Sequence, residues 1–508
     1  MKSDSKKGRL SSALTVSLPG IGVALLAFVL YLRTLAPTAL PRDPYGLADS
    51  GLLQVRAYIM GISNPTGYPT YMMLAKLFTF LPFGDVGYRV SLASAVYAAV
   101  AVFLIYAVCR KLTGRAVPSV AAALLFGVGQ AFWSQAVIAE VYTLNALFVA
   151  LIMFVLLLWR DDRRDRYLLL AAFLMGLSMT HHLTSGLLIP AGILFVFLVE
   201  RRKLLDWRLL LKGAGLFLLA LTPYVYLPIR GALNLPLDNY HPDTLSNFLD
   251  LVTGRVFDAR MFVYSPAKLP RQVLSYSGEL LRQFNPVFLI FAWLGFLLLA
   301  LRDRAACAML SFLYLGWLFQ AVEYGILDVW VYFIPTYLVL SIFIAVGAAG
   351  LLDWMEDVLS RLSFARRKVA LAVVSVALLL FPLVRVGTST YAAVDQSGNY
   401  ASQKTMNAVA ATAPRGATIV QNGSSLWYMT LVDKRRTDLH LVNPLANPKE
   451  WEDKDAAWLK YVDKYLREGG PVYVLFAGGI SPSYAAPFEQ AGYRLIPEGG
   501  GTFYKVVK

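Results

Sequence analysis

With 57% hydrophobic and 16% charged residues over 508 positions, the chain falls well below the roughly 25% charged residues of a soluble globular protein, so much of its surface must face something other than water. Uncharged apolar runs long enough to cross about 30 Å of hydrocarbon recur at 116–139, 141–159, 283–301 and 331–352, which excludes a purely soluble fold. The formal net charge of +15 does not speak for a nucleic-acid partner: 22 of the 47 Lys and Arg lie in the N-terminal tail and five short loops, while the connections around 134–140, 180–182 and 322–328 hold none, the asymmetry of the positive-inside rule.

In chain order, the first apolar run, 10–32, follows Lys2, Lys6, Lys7 and Arg9. It is longer than the apolar core of a secretory signal and no small-x-small cleavage site follows, so it reads as a retained signal anchor. The connection 36–89 is long, and within it 68–83 is apolar but interrupted by Lys76 and bounded by prolines. A full crossing there would place every later basic loop across the membrane from the basic tail, so a re-entrant or interfacial helix is expected. Spans follow near 90–109, 117–138, 141–159, 167–180, 183–199 and 213–229. A second long connection, 230–282, contains Pro236, Asp238, His241, Pro242 and Asp243 and is expected to be irregular and broken by short helices; long ordered loops are usually functional. Spans near 284–301, 305–322, 331–352 and 369–386 bring the number to eleven.

An odd number leaves the N-terminus cytoplasmic and the C-terminus extracytoplasmic in a multi-pass protein of the cell membrane. Beyond about residue 387 the composition becomes that of a soluble domain. Apolar runs at 417–420, 439–442, 472–476 and 493–496 alternate with helical patterns such as 402–411 and 451–467, which suggests a small α/β layer. No dinucleotide or phosphate-loop fingerprint occurs there. The expected fold is a polytopic α-helical membrane module over 1–387 and an extracytoplasmic α/β domain over 388–508. Cys109 and Cys307 fall at the same ends of their helices, and no structural disulfide is expected.

The ionisable residues gather at the outer ends of the spans. Asp49 precedes a helical run ending near Met60, and it can both cap that helix and serve as a base. Glu140 is the only Asp, Glu, Lys, Arg or His between Arg115 and Arg160; a carboxylate at such a boundary is costly unless paired or used, the alternative being a Glu bathed in interfacial water. His181 and His182 can donate to a phosphate or bind a metal, but adjacent helical positions point apart, so a shared divalent metal is not supported. Arg230 can clamp a phosphate in bidentate fashion or snorkel to lipid headgroups. Glu323 and Asp328 precede Trp330, Tyr332 and Phe333, an interfacial aromatic belt, and either acid can touch substrate. A base, a holder for a leaving phosphate and a water-poor cleft are what sugar transfer requires, and these groups converge on one face from five loops. A transporter is an alternative, but transporters show paired repeats and polar residues at mid-bilayer, and no repeat is present here. A non-catalytic lipid- or glycan-binding relative is another.

Several motifs share one order along residues 20–350. They are Asp49-Ser50-Gly51; Gly61-Ile62-Ser63-Asn64-Pro65-Thr66-Gly67-Tyr68-Pro69; Leu81-Pro82-Phe83-Gly84-Asp85; Phe132-Trp133-Ser134-Gln135, running on through Glu140 to Asn145; Thr180-His181-His182-Leu183-Thr184; and Asp328 with Tyr332-Phe333-Ile334-Pro335. Together they resemble a bacterial membrane family related to an animal transmembrane protein O-mannosyltransferase, within the GT-C glycosyltransferases. The resemblance implies a polyprenyl-phosphate-linked sugar as donor and a protein or glycan hydroxyl as acceptor, met at the membrane lipid boundary with inversion at the anomeric carbon. It implies Asp49 as general base with Glu140 in support, His181, His182 and Arg230 at the donor phosphate, and Asn64, Tyr68, Gln135, Asp328 and Tyr332 around the substrate. Two positions depart from the family pattern: Leu52 stands where a Glu is usual, and Asn64 where a His is usual.

Overall fold

The computed structural model describes residues 2–41, 49–361, 363–476 and 479–508, with side chains at all of these except 2–16, 448 and 449. The side chains of the basic tail, and residues 42–48 just before Asp49, lie outside the described set.

Helices stand at all eleven expected positions. α1 (Lys2–Arg33) carries the apolar stretch Ser17–Arg33. α2 (Asp49–Ile59) and α3 (Pro69–Phe78) break up the first long connection. At ten residues, about 15 Å, α3 is too short to cross a bilayer, in line with the interfacial or re-entrant expectation. α4 (Val86–Thr113) is followed by α5 (Ala116–Gly127) and α6 (Gln130–Ala136), a pair bent by 66°. Then come α7 (Tyr142–Asp162), α8 (Asp165–Met179), α9 (Leu188–Glu200), α10 (Trp207–Ala220) and α11 (Tyr226–Gly231). The second long connection holds α12 (Leu245–Thr253) and α13 (Leu269–Gln283), the latter bent by 106° from α14 (Pro286–Arg302). α15 (Arg304–Val322), α16 (Ile334–Val358) and α17 (Phe364–Arg385) complete the bundle. Among the described residues seven helical segments are long and apolar enough to cross a membrane, or nine if each bent pair is one span. The shortfall from eleven falls on α8, with 15 residues, and on α1, whose side chains are described only from Ser17 onward.

α4, α7 and the segment Val329–Arg361 form the inside of the bundle, whereas Trp207–Gly231 and Phe364–Val394 keep only 11% of their apolar windows covered by protein. At one end of the bundle the basic loops are cross-tied: Arg115 meets Asp353 at 2.7 Å and Glu356 at 2.6 Å, and Lys111 meets Asp161 at 2.6 Å. These pairs are partly exposed, so each adds at most about 1 kcal/mol. The opposite end, where α6 leads to α7, α8 to α9 and α15 to α16, carries the site.

The chain continues through α18 (Tyr391–Val394) and α19 (Ala401–Thr412) into a five-stranded sheet. β1 (Thr418–Gln421), α20 (Ser425–Leu431), β2 (His440–Val442), α21 (Lys454–Arg467), β3 (Val472–Leu475), α22 (Pro482–Gln490), β4 (Arg494–Glu498) and β5 (Phe503–Val507) follow in sequence. The strand order is β2-β1-β3-β5-β4, with β1, β2 and β3 parallel and β5 antiparallel to β3 and β4. Four of these strands cover the expected runs; β5, reached through a turn at Gly499, Gly500 and Gly501 with positive φ, is additional. This unit is not held at arm's length. Leu426, Tyr428 and Met429 of α20 belong to the same buried core as α2 and α4, and the amide of Gly87 at the start of α4 donates to the Tyr428 hydroxyl at 2.9 Å.

Candidate active site

The first turn of α2 is fixed from three sides, and the Asp49-Ser50-Gly51 run explains how. Ser50 is fully buried and its Oγ accepts from the Ala139 amide at 3.0 Å, which ties α2 to the turn between α6 and α7. Gly51 lies against α20: a Cβ there would stand 2.0 Å from Ser424 Oγ and 2.1 Å from the Leu40 carbonyl, and Ser424 Oγ itself donates to that carbonyl at 2.6 Å. One turn on, Gln54 accepts from the Leu40 amide and donates to Gly87 O and Ser91 Oγ. Asp49 is thereby presented to a cavity of about 330 Å³ at this end of the bundle.

Glu140, 6% exposed, lines the same cavity. Ser94 Oγ accepts from its amide at 3.1 Å and donates to its carbonyl at 3.2 Å, while Glu140 Oε2 accepts from the Val141 amide at 3.3 Å. Asp328 reaches the cavity from the connection between α15 and α16. That connection is braced against the loop after α12: the Gly325 amide donates to Arg260 O at 2.8 Å and the Phe262 amide to Glu323 O at 3.0 Å. The brace brings Arg260 into the lining as well. Among the described residues no three His, Cys, Asp or Glu side chains are grouped to hold a metal ion, so the three carboxylates stand as separate groups.

Among the described residues Asp49 does not meet a cation directly. Asn64 Nδ2 donates to Asp49 Oδ1 at 2.7 Å, and Asn64 Oδ1 accepts from Arg56 Nη1 at 2.9 Å. Burial pushes the Asp49 carboxyl above the usual carboxylate range, opposed by the Arg56 charge and the Asn64 hydrogen bond.

Of the residues singled out in the sequence, Asp49, Asn64, Tyr68, Glu140, Asp328 and Tyr332 line this one cavity. Gln135, His181, His182, Arg230 and Glu323 do not. Gln135 is buried and donates to Ser134 Oγ at 3.3 Å. His181, with no exposed surface, lies behind the lining with Nε2 2.9 Å from the Val141 carbonyl. The His182 ring is packed by Tyr68, Tyr142 and Tyr332, and its Nδ1 is 2.7 Å from Thr184 Oγ1. Burial lowers His181 to about 3 and His182 to about 4, so near neutral pH both rings are uncharged and offer no cation to a phosphate. Arg230 is committed elsewhere: its Nε donates to Met60 O at 2.6 Å and its Nη2 to Ile59 O at 2.8 Å. Together with Lys76, which donates to Tyr58 O at 2.5 Å, it caps the carbonyl end of α2, where the helix dipole favours positive charge. These three residues, His181, His182 and Arg230, thus stand outside the cavity lining, each with a protein partner of its own.

The cavity also takes in residues that the sequence did not single out: Arg260, Tyr240, Phe257, Tyr324 and, from the sheet-bearing unit, Trp451. Phe257 and Trp451 face each other with ring centroids 6.3 Å apart. A basic residue next to aromatics in a long irregular loop was the available signal for Arg260; nothing local marks Trp451.

Residues 49–205 match the family model described as the Protein O-mannosyl-transferase TMEM260 N-terminal domain. The chain is similar to the Protein O-mannosyl-transferase TMEM260 of Mus musculus, at 35% identity over 218 residues covering 42% of this chain and 30% of the mouse protein. It is likewise similar to the protein of that name in Dictyostelium discoideum, at 26% identity over 203 residues covering 37% and 25%. It thus spans less than a third of the length of these curated relatives. Among solved structures it resembles ArnT from Cupriavidus metallidurans bound to undecaprenyl phosphate, with a TM-score of 0.58 and 14% identity over 97% of this chain and 98% of that one. It also resembles the oligosaccharyltransferase AglB from Archaeoglobus fulgidus in complex with an inhibitory peptide and a dolichol-phosphate, with a TM-score of 0.54 and 12% identity over 96% and 74%. Identities this low show the fold alone. Asp49 opens the stretch matched by the model of the TMEM260 N-terminal domain, Asn64, Tyr68 and Glu140 fall within it, and the chain as a whole has the fold of these two solved membrane proteins.

Proposed function

We propose that the protein is a membrane glycosyltransferase that moves a sugar, mannose by analogy with the named relatives, from a polyprenyl-phosphate donor to a hydroxyl of a protein or glycan at the extracytoplasmic face. The observation that carries this reading is the meeting of Asp49, Glu140 and Asp328, from three distant connections, with Arg260 around one cavity. The acceptor oxygen attacks the anomeric carbon as the bond from that carbon to the phosphate oxygen breaks. The electron pair leaves with the phosphate, the acceptor proton passes to Asp49, and the configuration inverts. A carboxyl raised by burial is better matched to this proton transfer than an ordinary surface aspartate. Arg260 is the cation in the lining suited to the leaving phosphate, and Glu140 and Asp328 are placed to accept hydrogen bonds from sugar or acceptor hydroxyls. In this reading residues 388–508 form the extracytoplasmic unit that reaches the donor and acceptor through Trp451.

The test is transfer of labelled mannose from polyprenyl-phosphate mannose to Ser- and Thr-containing peptides by the purified protein in proteoliposomes. Asp49→Asn is expected to lower turnover about 10²–10⁴-fold with an unchanged melting temperature. An Asp49→Asn variant as fast as the parent removes the base assignment, and a parent protein that releases no polyprenyl phosphate removes the transferase reading.

A further inference from the structure

The link between Asp49 and Arg56 is indirect, and the residue between them is the point of interest. Arg56 is 1% exposed, lies two turns along α2 from Asp49, and spends Nη1 on Asn64 Oδ1 at 2.9 Å and Nη2 on Leu237 O at 3.4 Å. Asn64 turns its amide nitrogen to the carboxylate, at 2.7 Å, and its amide oxygen to the guanidinium. The opposite orientation would set acceptor against acceptor and donor against donor, so this one is dictated by the partners. A guanidinium in direct bidentate contact with Asp49 would occupy its oxygens and hold it ionised so firmly that it would make a poor base. An amide in between passes on one hydrogen bond and keeps the positive charge at a distance.

We propose that Asn64 is a positioning residue for the proposed base: it fixes the Asp49 carboxylate at the cavity by donating to Oδ1 and holds Arg56 one amide away from it. The inference rests on the transferase reading with Asp49 as base. The titratable groups that share the cavity with Asp49 are Tyr68, Glu140, Tyr240, Arg260 and Asp328, with Tyr142, Tyr324 and Tyr332 further round the lining. α4 and α20 reach this turn of α2 through serines, Ser94 by way of Glu140 and Ser424 against Gly51. Among the described residues Arg56 and Asn64 are therefore the groups on the inner side of Asp49 able to set its state.

The experiment is the pH dependence of kcat and kcat/KM for Asn64→Asp, Asn64→Leu, Asn64→Gln and, alongside, Asp49→Asn. Asn64→Asp keeps the shape but lets Arg56 pair with the new acid, which then repels Asp49. The acid limb of its profile is expected to move up by about one pH unit or more. Asn64→Leu removes the donor and is expected to lower kcat about tenfold with the donor KM within about twofold, while Asn64→Gln, which can still bridge, recovers part of the loss. A merely structural role would change melting temperature or KM without moving the limb. If Asp49→Asn is inactive while folded Asn64→Asp and Asn64→Leu both keep the parental limb, the positioning role is overturned and the base assignment stands. If Asp49→Asn retains the parental rate, the base assignment falls and the positioning role with it. Should Asn64→Leu fail to fold, the near-isosteric Asn64→Asp decides alone.

Discussion

Two polar clusters sit at the same end of the bundle and were equally conspicuous as sequence, yet the fold treats them in opposite ways. The carboxylates Asp49, Glu140 and Asp328 line a cavity, whereas His181 and His182 are buried behind it by Tyr68, Tyr71, Tyr142, Phe148 and Tyr332. The acids are placed where charge can be used; the imidazoles are kept neutral by the rings around them. Position at a helix end therefore says that a polar residue is tolerated, and only the neighbours decide whether it works as a chemical group or as packing.

The contrast can be broken by parallel substitution. Asp49→Asn should cost about 10²–10⁴ in turnover, and His182→Gln no more than a few-fold, measured on the same mannosyl transfer; a His182→Gln variant as impaired as Asp49→Asn would erase the distinction. Next in size, Arg260→Ala should lower kcat/KM for the lipid-linked donor about 10–100-fold, with Arg260→Lys intermediate because a point charge replaces a planar fork. Arg230→Ala should leave turnover within a few-fold and lower stability by about 1 kcal/mol through loss of a helix cap, read as a shift in melting temperature.

Acid sensitivity is a separate effect, read on stability rather than on turnover. Both histidines have folded values, about 3 and about 4, below the ordinary 6.5, so in the interval between, the unfolded chain binds more protons than the folded one. Stability then rises with pH, is complete above about 6.5, and is lost progressively as the pH falls toward 4. Melting temperature followed from pH 7 to 4 should fall, and the double substitution of His181 and His182 by Gln should flatten that fall; an equally steep fall in the double variant would show that other groups cause it.

How far the sequence reached follows the range of each signal. Helix positions were legible because an apolar run is a local property, and so were Asp49, Glu140, Asp328 and Tyr332, since a polar residue at the end of such a run declares its depth. Arg260 was not, because it enters the cavity only through the pairing of 260–262 with 323–325, between segments some sixty residues apart. That His181, His182 and Arg230 stand outside the cavity was hidden for the same reason: what surrounds or occupies them comes from distant elements. β5 escaped because Lys505 interrupts a five-residue strand that follows a glycine turn.

Gly51 places the sheet-bearing unit hard against the helix that presents Asp49, with no room for even a methyl group between them. A joint that tight transmits displacement: a shift of α20 by a fraction of an ångström must be answered by α2. Whatever displaces α20 therefore bears on the helix that presents Asp49 to the cavity, and the accessory region is built less as an appendage than as the far end of a lever.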